Sequence, residues 1–289
     1  MQQTSELRSR AFSHSYVLEI TDNLQNLIGE VRHLVSLMGY CEESGVRALI
    51  YEYMANGNLH HHLSSNKARE LKWKDRLQIA LGAAYGLDYL HNGCKPAIVH
   101  RDLKASNILL DENMEPKIAD FGLSRAFAND IDSHVSTHPA GTFGYLDPQF
   151  QNSGNLTKGS DVYSFGIILL ELVTRKPAAK RQPNNTFILL LEWVTPKLGS
   201  KDIQSIVDPR LQGQYSIESA WKFLEIAKSC TAPIAIQRPD ISQVVVDLRE
   251  CLAMEIRMEG TNHNTNSSSS LDMSANLQFD SSFGAPSAR

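Results

Sequence analysis

The chain has 289 residues, 42% of them hydrophobic and 21% charged, and 28 basic against 32 acidic side chains leave a formal net charge of −4. That composition suits one ordinary globular domain with polar flanks, and the charge gives no electrostatic case for nucleic acid. No apolar run approaches the roughly 20 residues of a membrane-spanning helix. The first residues lack the layout of a secretory leader, and four cysteines without a Cys-x-x-Cys pair suggest reduced thiols in a cytosolic setting.

Residues 1–15 are polar and basic and read as a linker. Val17, Ile20, Leu24, Leu27 and Ile28 recur at helical spacing. Residues 34–40 and 47–53 are β-rich runs around a polar turn at 42–45, a hairpin pattern. Past Asn56-Gly57-Asn58 the character becomes helical. Trp73, Leu77, Ala80, Leu81, Ala84, Leu87 and Leu90 keep a 3.6 period, and Asn92-Gly93 closes that helix. Residues 97–99 and 108–110 read as short buried strands. Helices follow over about 159–173, 220–230 and 241–251, the last opened by Asp240 with Gln243 three positions on, as in a capping box. Beyond about Gly260 the Asn- and Ser-rich run cannot bury enough apolar area to offset ordering, which predicts a disordered tail.

The chemistry is concentrated between the two short strands. Residues 100–107 read His-Arg-Asp-Leu-Lys-Ala-Ser-Asn, and thirteen positions after Asn107 comes Asp120-Phe121-Gly122. This pair of segments is the known signature of protein-kinase phosphoryl transfer. That reaction needs in-line placement of a hydroxyl, and cations on the phosphates. Asp102 is suited to accept the proton of a substrate hydroxyl, and Lys104 to sit on the migrating γ-phosphate of ATP. Asn107 and Asp120 offer the hard oxygen ligands that Mg²⁺ takes beside phosphates. Phe121 is an apolar plug, and Gly122 frees the backbone beside it.

The chain resembles the kinase domain of plant receptor-like serine/threonine kinases, in particular the type with malectin-like and leucine-rich-repeat ectodomains. The likeness rests on Leu34-Val35-Ser36-Leu37-Met38-Gly39-Tyr40-Cys41, on the run from Leu49 to Leu59, and on the catalytic loop. It continues through Gly141-Thr142-Phe143-Gly144-Tyr145-Leu146-Asp147-Pro148, Asp161-Val162-Tyr163-Ser164-Phe165-Gly166 and Arg238-Pro239. It implies an α+β, protein-kinase-like fold. A mainly helical, intact C-lobe would span 58–252, and a residual N-lobe and hinge 31–57, with the sheet truncated to about two strands. Residues 1–30 would be a linker and remnant, and 253–289 a disordered tail.

Several roles are implied residue by residue. Tyr51 matches the gatekeeper, the backbone of Glu52 and Met54 would pair with adenine, and Leu109 would floor the adenine pocket. Leu37, His100 and Phe121 match three of the four stacked spine residues. Asp161 resembles the helix carboxylate that holds the catalytic-loop backbone, and Thr142 the hydroxyl that bonds the catalytic aspartate. Lys104 is what Ser/Thr kinases carry at its position. Arg101 resembles the arginine of kinases whose activation segment is ordered by phosphorylation, and Ser133, Ser136, Thr137 and Thr142 are the acceptor candidates. Relatives of this type lie on the cytoplasmic side of the plasma membrane, with protein substrates or other receptor kinases as partners.

The pattern breaks once. Gly29-Glu30 resembles the lead-in to a Gly-rich loop, but Val31-Arg32-His33-Leu34 belongs just before the fourth strand of such a sheet. One internal deletion, as from a skipped exon or a faulty gene model, explains both. It removes the glycine loop, the strand lysine that grips the α/β-phosphates and its glutamate partner. Losing two charge-assisted contacts of about 1.5–3 kcal/mol each puts roughly 3–6 kcal/mol at stake, on the order of 10²–10⁴ in rate. Two readings follow: a Ser/Thr kinase with impaired turnover, or a pseudokinase-like binding module.

Smaller departures are Gln149, where relatives have the glutamate that pairs with the arginine matched by Arg238, and Phe143, which replaces a proline in the substrate-docking loop. The expectation for Gln149 is a buried guanidinium short of its carboxylate. His60-His61-His62 reads as a solvated helix face rather than a metal site, because adjacent helical residues diverge. Lys176-Pro177-Ala178-Ala179-Lys180-Arg181 reads as a solvated loop with docking as the sharper option. Trp73, Trp193 and Trp221 read as core.

Overall fold

The computed structural model describes residues 32–43, 46–66, 68–127, 134–200 and 202–268. The helix expected within 16–28 and the acceptor candidate Ser133 lie outside them.

The larger lobe is organised around one helix. Thr157 opens α4 (Lys158–Thr174), and every residue from Ser160 to Thr174 is buried. The low polarity of this run leaves no face for solvent, so other helices must wrap it. Chain order gives α1 (Leu59–Ser64), α2 (Trp73–Asp88), α3 (Pro148–Ser153), then α4, α5 (Leu190–Ser200), α6 (Ile217–Cys230) and α7 (Ile241–Ser268). Helix α6 packs on α4 and α7, and α7 packs on α2. Trp73, Phe165, Phe223, Leu77 and Leu248 lie in the resulting core. Helix α2 ends in a wider π turn at Tyr89–Gly93, close to the expected stop.

Two fully buried ion pairs tie these helices to loops. Arg76 on α2 donates from Nη2 to Asp208 at 2.5 Å and from Nη1 to the Leu172 carbonyl at 2.8 Å. Arg238 donates from Nη2 to Asp147 at 2.7 Å, and its other nitrogens reach the carbonyls of Ala232 and Gly159. This corrects the expectation for Gln149. The carboxylate of Asp147 supplies the counter-charge, while Gln149 is exposed and its Oε1 accepts from the Ala235 N–H at 2.6 Å. The capping box at α7 is half made. Asp240 accepts from the Ser242 N–H, but the Gln243 side chain turns forward to Asp247.

Helix α7 also runs further than expected. The structure is helical to Ser268, so the span 253–289 is not wholly the disordered tail foreseen. Glu255, 3% exposed, accepts the N–H of Ser216 at the start of α6, which makes the turn beyond Cys251 part of the lobe.

Among the described residues the sheets are all two-stranded. Strand β3 (Ile98–Val99) pairs with β6 (Arg125–Ala126), and β4 (Ile108–Leu110) with β5 (Pro116–Ile118). Strand β7 (Val135–Ser136) pairs with β8 (Asn155–Leu156), and β9 (Ala179–Arg181) with β10 (Phe187–Leu189). The small lobe among the described residues is a single antiparallel hairpin, β1 (Leu37–Glu43) and β2 (Val46–Tyr51). Its first strand begins later than expected because residues 33–35 are spent on the larger lobe. Leu34 bridges Ile118 in parallel, and Ile118 bonds both the His33 carbonyl and the Val35 N–H at 2.9 Å. Gly86 makes this junction possible, since a Cβ there would stand 2.6 Å from the His33 carbonyl oxygen.

Breaking one partner of a buried pair leaves an uncompensated charge, so Asp147→Ala is expected to lose about 3–5 kcal/mol of stability. Gln149→Glu is expected to stay within about 0.5 kcal/mol of the parent. Urea denaturation midpoints check both; a large gain from Gln149→Glu would show that Asp147 does not satisfy Arg238.

Candidate active site

The catalytic loop connects β3 to β4 and turns through an unfavourable conformation. Arg101 has φ of 74° and Asp120, before the Phe-Gly pair, φ of 67°. Left-handed backbone at a non-glycine residue costs on the order of 1–3 kcal/mol and persists only where the surroundings impose it. Asp161, 1% exposed on α4, does so at the first site. Its Oδ2 accepts the His100 N–H at 2.7 Å and its Oδ1 the Arg101 N–H at 2.8 Å, and His91 Nε2 lies 2.9 Å from Oδ2.

The strained turn presents Asp102 at the mouth of the loop. Asp102 Oδ1 accepts from the Thr142 hydroxyl at 2.6 Å, and Oδ2 from Lys104 Nζ at 2.7 Å, which also reaches Thr142 Oγ1 at 3.0 Å. A carboxylate has about four lone-pair positions, so two donors leave room for a substrate hydroxyl. Asn107 Nδ2 donates to the Asp102 carbonyl at 2.9 Å and lies 3.4 Å from Asp120 Oδ2. Nδ2 is thus the amide atom toward Asp120, and Asn107 Oδ1, with no hydrogen bond among the described residues, and the Asp120 carboxylate are hard oxygens of the kind Mg²⁺ takes. Asp102, Lys104, Asn107, Asp120 and Thr142 are therefore brought together.

Behind this group the His100 ring meets Phe121 edge-on at 5.3 Å, and its Nε2 lies 2.9 Å from the Ala119 carbonyl. The third matched spine residue, Leu37, is 55% exposed, so the stack stops at the lobe boundary. Tyr51 is exposed, Met54 is buried, and Leu109 sits on β4 bridged to Asn58. The Met54 N–H carries no hydrogen bond among the described residues, as an adenine-facing donor would require. Glu52 turns its side chain away: Oε1 accepts the Ser36 N–H and Oε2 pairs with Lys117 at 2.6 Å. Burial works against its charge, but the Lys117 and Ser36 donors prevail and hold its carboxyl below the usual range. Sequence reasoning missed this pair, since nothing in the spacing of residues 52 and 117 announces a contact.

Of the activation-segment hydroxyls, Ser136 is exposed on β7. Thr137 Oγ1 accepts from Arg101 Nη2 at 3.3 Å, and the same nitrogen donates to the His138 carbonyl at 2.5 Å. The buried Arg101 Nε has no partner. Thr142 is committed to Asp102. The histidine run departs in part from a solvated helix face: His60 and His61 are exposed, whereas His62 is buried with Nε2 2.9 Å from the Asn56 carbonyl.

A sequence profile described as protein tyrosine and serine/threonine kinase matches residues 7–248. The chain belongs to this kinase family. It is 44% identical over 321 aligned residues to the probable LRR receptor-like serine/threonine-protein kinase MEE39 of Arabidopsis thaliana, which covers 94% of this chain and 36% of that one. It is 48% identical over 264 residues to the LRR receptor-like serine/threonine-protein kinase IOS1 of the same plant, covering 90% of this chain and 29% of the relative. The chain thus spans about a third of the length of these relatives. The first alignment is longer than the whole chain, so several tens of positions in that relative face no residue here, as an internal deletion would leave. Among the described residues no helix is long and apolar enough to cross a membrane.

One further contact locks the segment after Thr142 to the kinase core. Tyr145, buried, donates its hydroxyl to Glu171 Oε2 on α4 at 2.6 Å, and Glu171 Oε1 accepts the Ala178 N–H at 3.1 Å. Burial outweighs both donors and pushes the Glu171 carboxyl up to about 7, and burial with the neighbouring Glu171 pushes the Tyr145 phenol up as well. A raised carboxyl pKa means that the folded state holds a proton the unfolded chain has released. Stability from this group is full below about pH 4.3 and is lost as pH rises through about 7, a total of about 3 kcal/mol. Melting midpoints followed from pH 4.5 to 7.5 should therefore fall less in Glu171→Gln than in the parent, and identical slopes would contradict the assignment.

Proposed function

We propose that this chain carries the phosphoryl-transfer half of a plant receptor-type protein serine/threonine kinase, using ATP and Mg²⁺. The observation that carries the reading is the convergence of Asp102, Lys104, Asn107 and Asp120 around one point, fixed from below by Asp161. Asp102 accepts the proton of a substrate serine or threonine hydroxyl, whose oxygen attacks the γ-phosphorus of ATP, and ADP leaves. Lys104, already at the Asp102 carboxylate, supplies a cation for the transferring group. Asn107 Oδ1 and Asp120 would hold Mg²⁺, which neutralises phosphate charge when bound. The open Met54 N–H and the Glu52 carbonyl would receive adenine over Leu109. Thr137 is the acceptor that lies beside the Arg101 fork, and a phosphate there would meet its unpartnered Nε. The chain would act on the cytoplasmic side of the plasma membrane, on protein substrates or partner receptor kinases.

A second reading, a binding module with little turnover, has its own support. Among the described residues Lys104 and Lys117 are tied to Asp102 and Glu52, and no other lysine is bonded to the Asp120 region. The hairpin above it leaves Leu37, Tyr40 and Leu49 more than half exposed.

Mg-ATP is expected to raise the melting midpoint relative to Mg-free buffer, and phosphate incorporation into a generic Ser/Thr substrate should be Mg-dependent and abolished by Asp102→Asn. The rate is expected on the order of 10²–10⁴ below that of a domain with a complete small lobe. No stabilisation by Mg-ATP, with no Asp102-dependent incorporation, would establish the binding module instead.

A further inference from the structure

In the larger lobe a cleft of about 430 Å³ opens between the end of α4, the start of α5 and the β9–β10 hairpin. Its floor is apolar, from Ile188, Leu190 and Trp193. Its rim is cationic, from Arg175, Lys176 and Lys180, and no carboxylate lines it. The volume falls within the roughly 300–1,000 Å³ of ordinary ligand sites.

The cations are held rather than free to wander. Lys176 Nζ lies 4.6 Å from the Trp193 ring centroid, with Lys197 Nζ at 4.8 Å. Arg175 Nη2 is anchored on Asn66 Oδ1 at 2.8 Å, and its buried Nε lacks a partner. Lys180 is exposed and has no ion pair among the described residues. The nearest acid, Glu192, is turned to accept the Leu189 N–H. Three cations around an apolar floor, uncompensated, select an anion attached to a hydrophobic body.

Register puts the cleft and the Phe143 contact on opposite faces of the hairpin. Ile188 opposes Lys180 across the hairpin, whereas Phe187, next along the strand, faces the other way and meets Phe143 at 5.3 Å. The hairpin is only two-stranded, and because the Glu192 carboxylate takes the outward Leu189 N–H of β10, the outer edge of β9 is the one left to an extended backbone. Concavity also disfavours a membrane, which needs apolar residues that project outward.

We infer that this cleft docks an extended segment of a partner protein, in which an aromatic or aliphatic side chain stands next to a phosphorylated or acidic residue. The inference is independent of whether the chain transfers phosphate.

Fluorescence anisotropy with the full 289-residue chain tests it. The probes are three labelled hexapeptide pools with a fixed phenylalanine preceded by phosphoserine, aspartate or serine, the other positions randomised without lysine or arginine. The phosphoserine pool is expected to bind about tenfold or more tighter than the serine pool, with the aspartate pool between. Lys180→Glu and Lys176→Glu, both at exposed positions, should each weaken it about tenfold without moving the melting midpoint, and Asp102→Asn should leave it unchanged. Equal binding by the phosphoserine and serine pools would overturn the inference. So would insensitivity to both lysine changes, or capture by phosphatidylserine vesicles in preference to every pool.

Discussion

The structure depends on one buried carboxylate. Asp161 sits inside a helix buried along nearly its whole length and is almost fully excluded from water, an arrangement that is costly unless its lone pairs are used. They are used on two successive backbone N–H groups of a loop that would otherwise relax out of its left-handed turn. The helix thus acts as the rigid reference, and the position of Asp102 is inherited from it. Charge-assisted bonds to a backbone are stronger than neutral ones, roughly 1.5–3 kcal/mol each, which is enough to offset one strained residue. Arg238 and Asp147 extend the same logic to the far end of the activation segment, where a guanidinium is satisfied by a helix-capping aspartate and three carbonyls.

Much of this was legible in the amino-acid order. The catalytic group is legible because its members lie within one short stretch, so that a turn and a strand pair suffice to assemble them; Asp120 needs only the β4–β5 hairpin to come back beside Asn107. The long helices are legible for a similar reason, since their apolar period is local. Contacts between residues distant in sequence are not. Glu52 with Lys117, Tyr145 with Glu171 and Arg76 with Asp208 are decided by tertiary placement, and no spacing rule links their members. Gln149 shows the converse error. A residue-for-residue expectation assigned the counter-charge of Arg238 to one position, while a neighbouring aspartate two residues earlier provides it. The extension of α7 is not legible from its polar composition, because a tertiary contact, Glu255 to the Ser216 N–H, keeps the first added turn inside the lobe.

The small lobe presents the opposite balance. Two strands bury little, and a lone hairpin is at best marginal in water. Leu37, Met38, Tyr40, Leu49 and Ile50 all show more than half of their surface, on both faces of the ribbon. In a larger sheet such side chains would be the interior. The sequence of the hairpin is still that of a covered element.

The junction at His33–Val35 determines what such a hairpin can do mechanically. Because Ile118 grips the chain on both sides of Leu34, and Gly86 lets the His33 carbonyl lie flat against α2, the root of the ribbon is clamped to the same unit that carries Asp120. Any rocking of the strands must pivot beyond that clamp, near Ser36 and Glu52, where one backbone bond and the Glu52 side chain form a short fulcrum. Rotation about that point displaces the free end of the ribbon most and leaves Asp120, on the clamped side, beside Asn107.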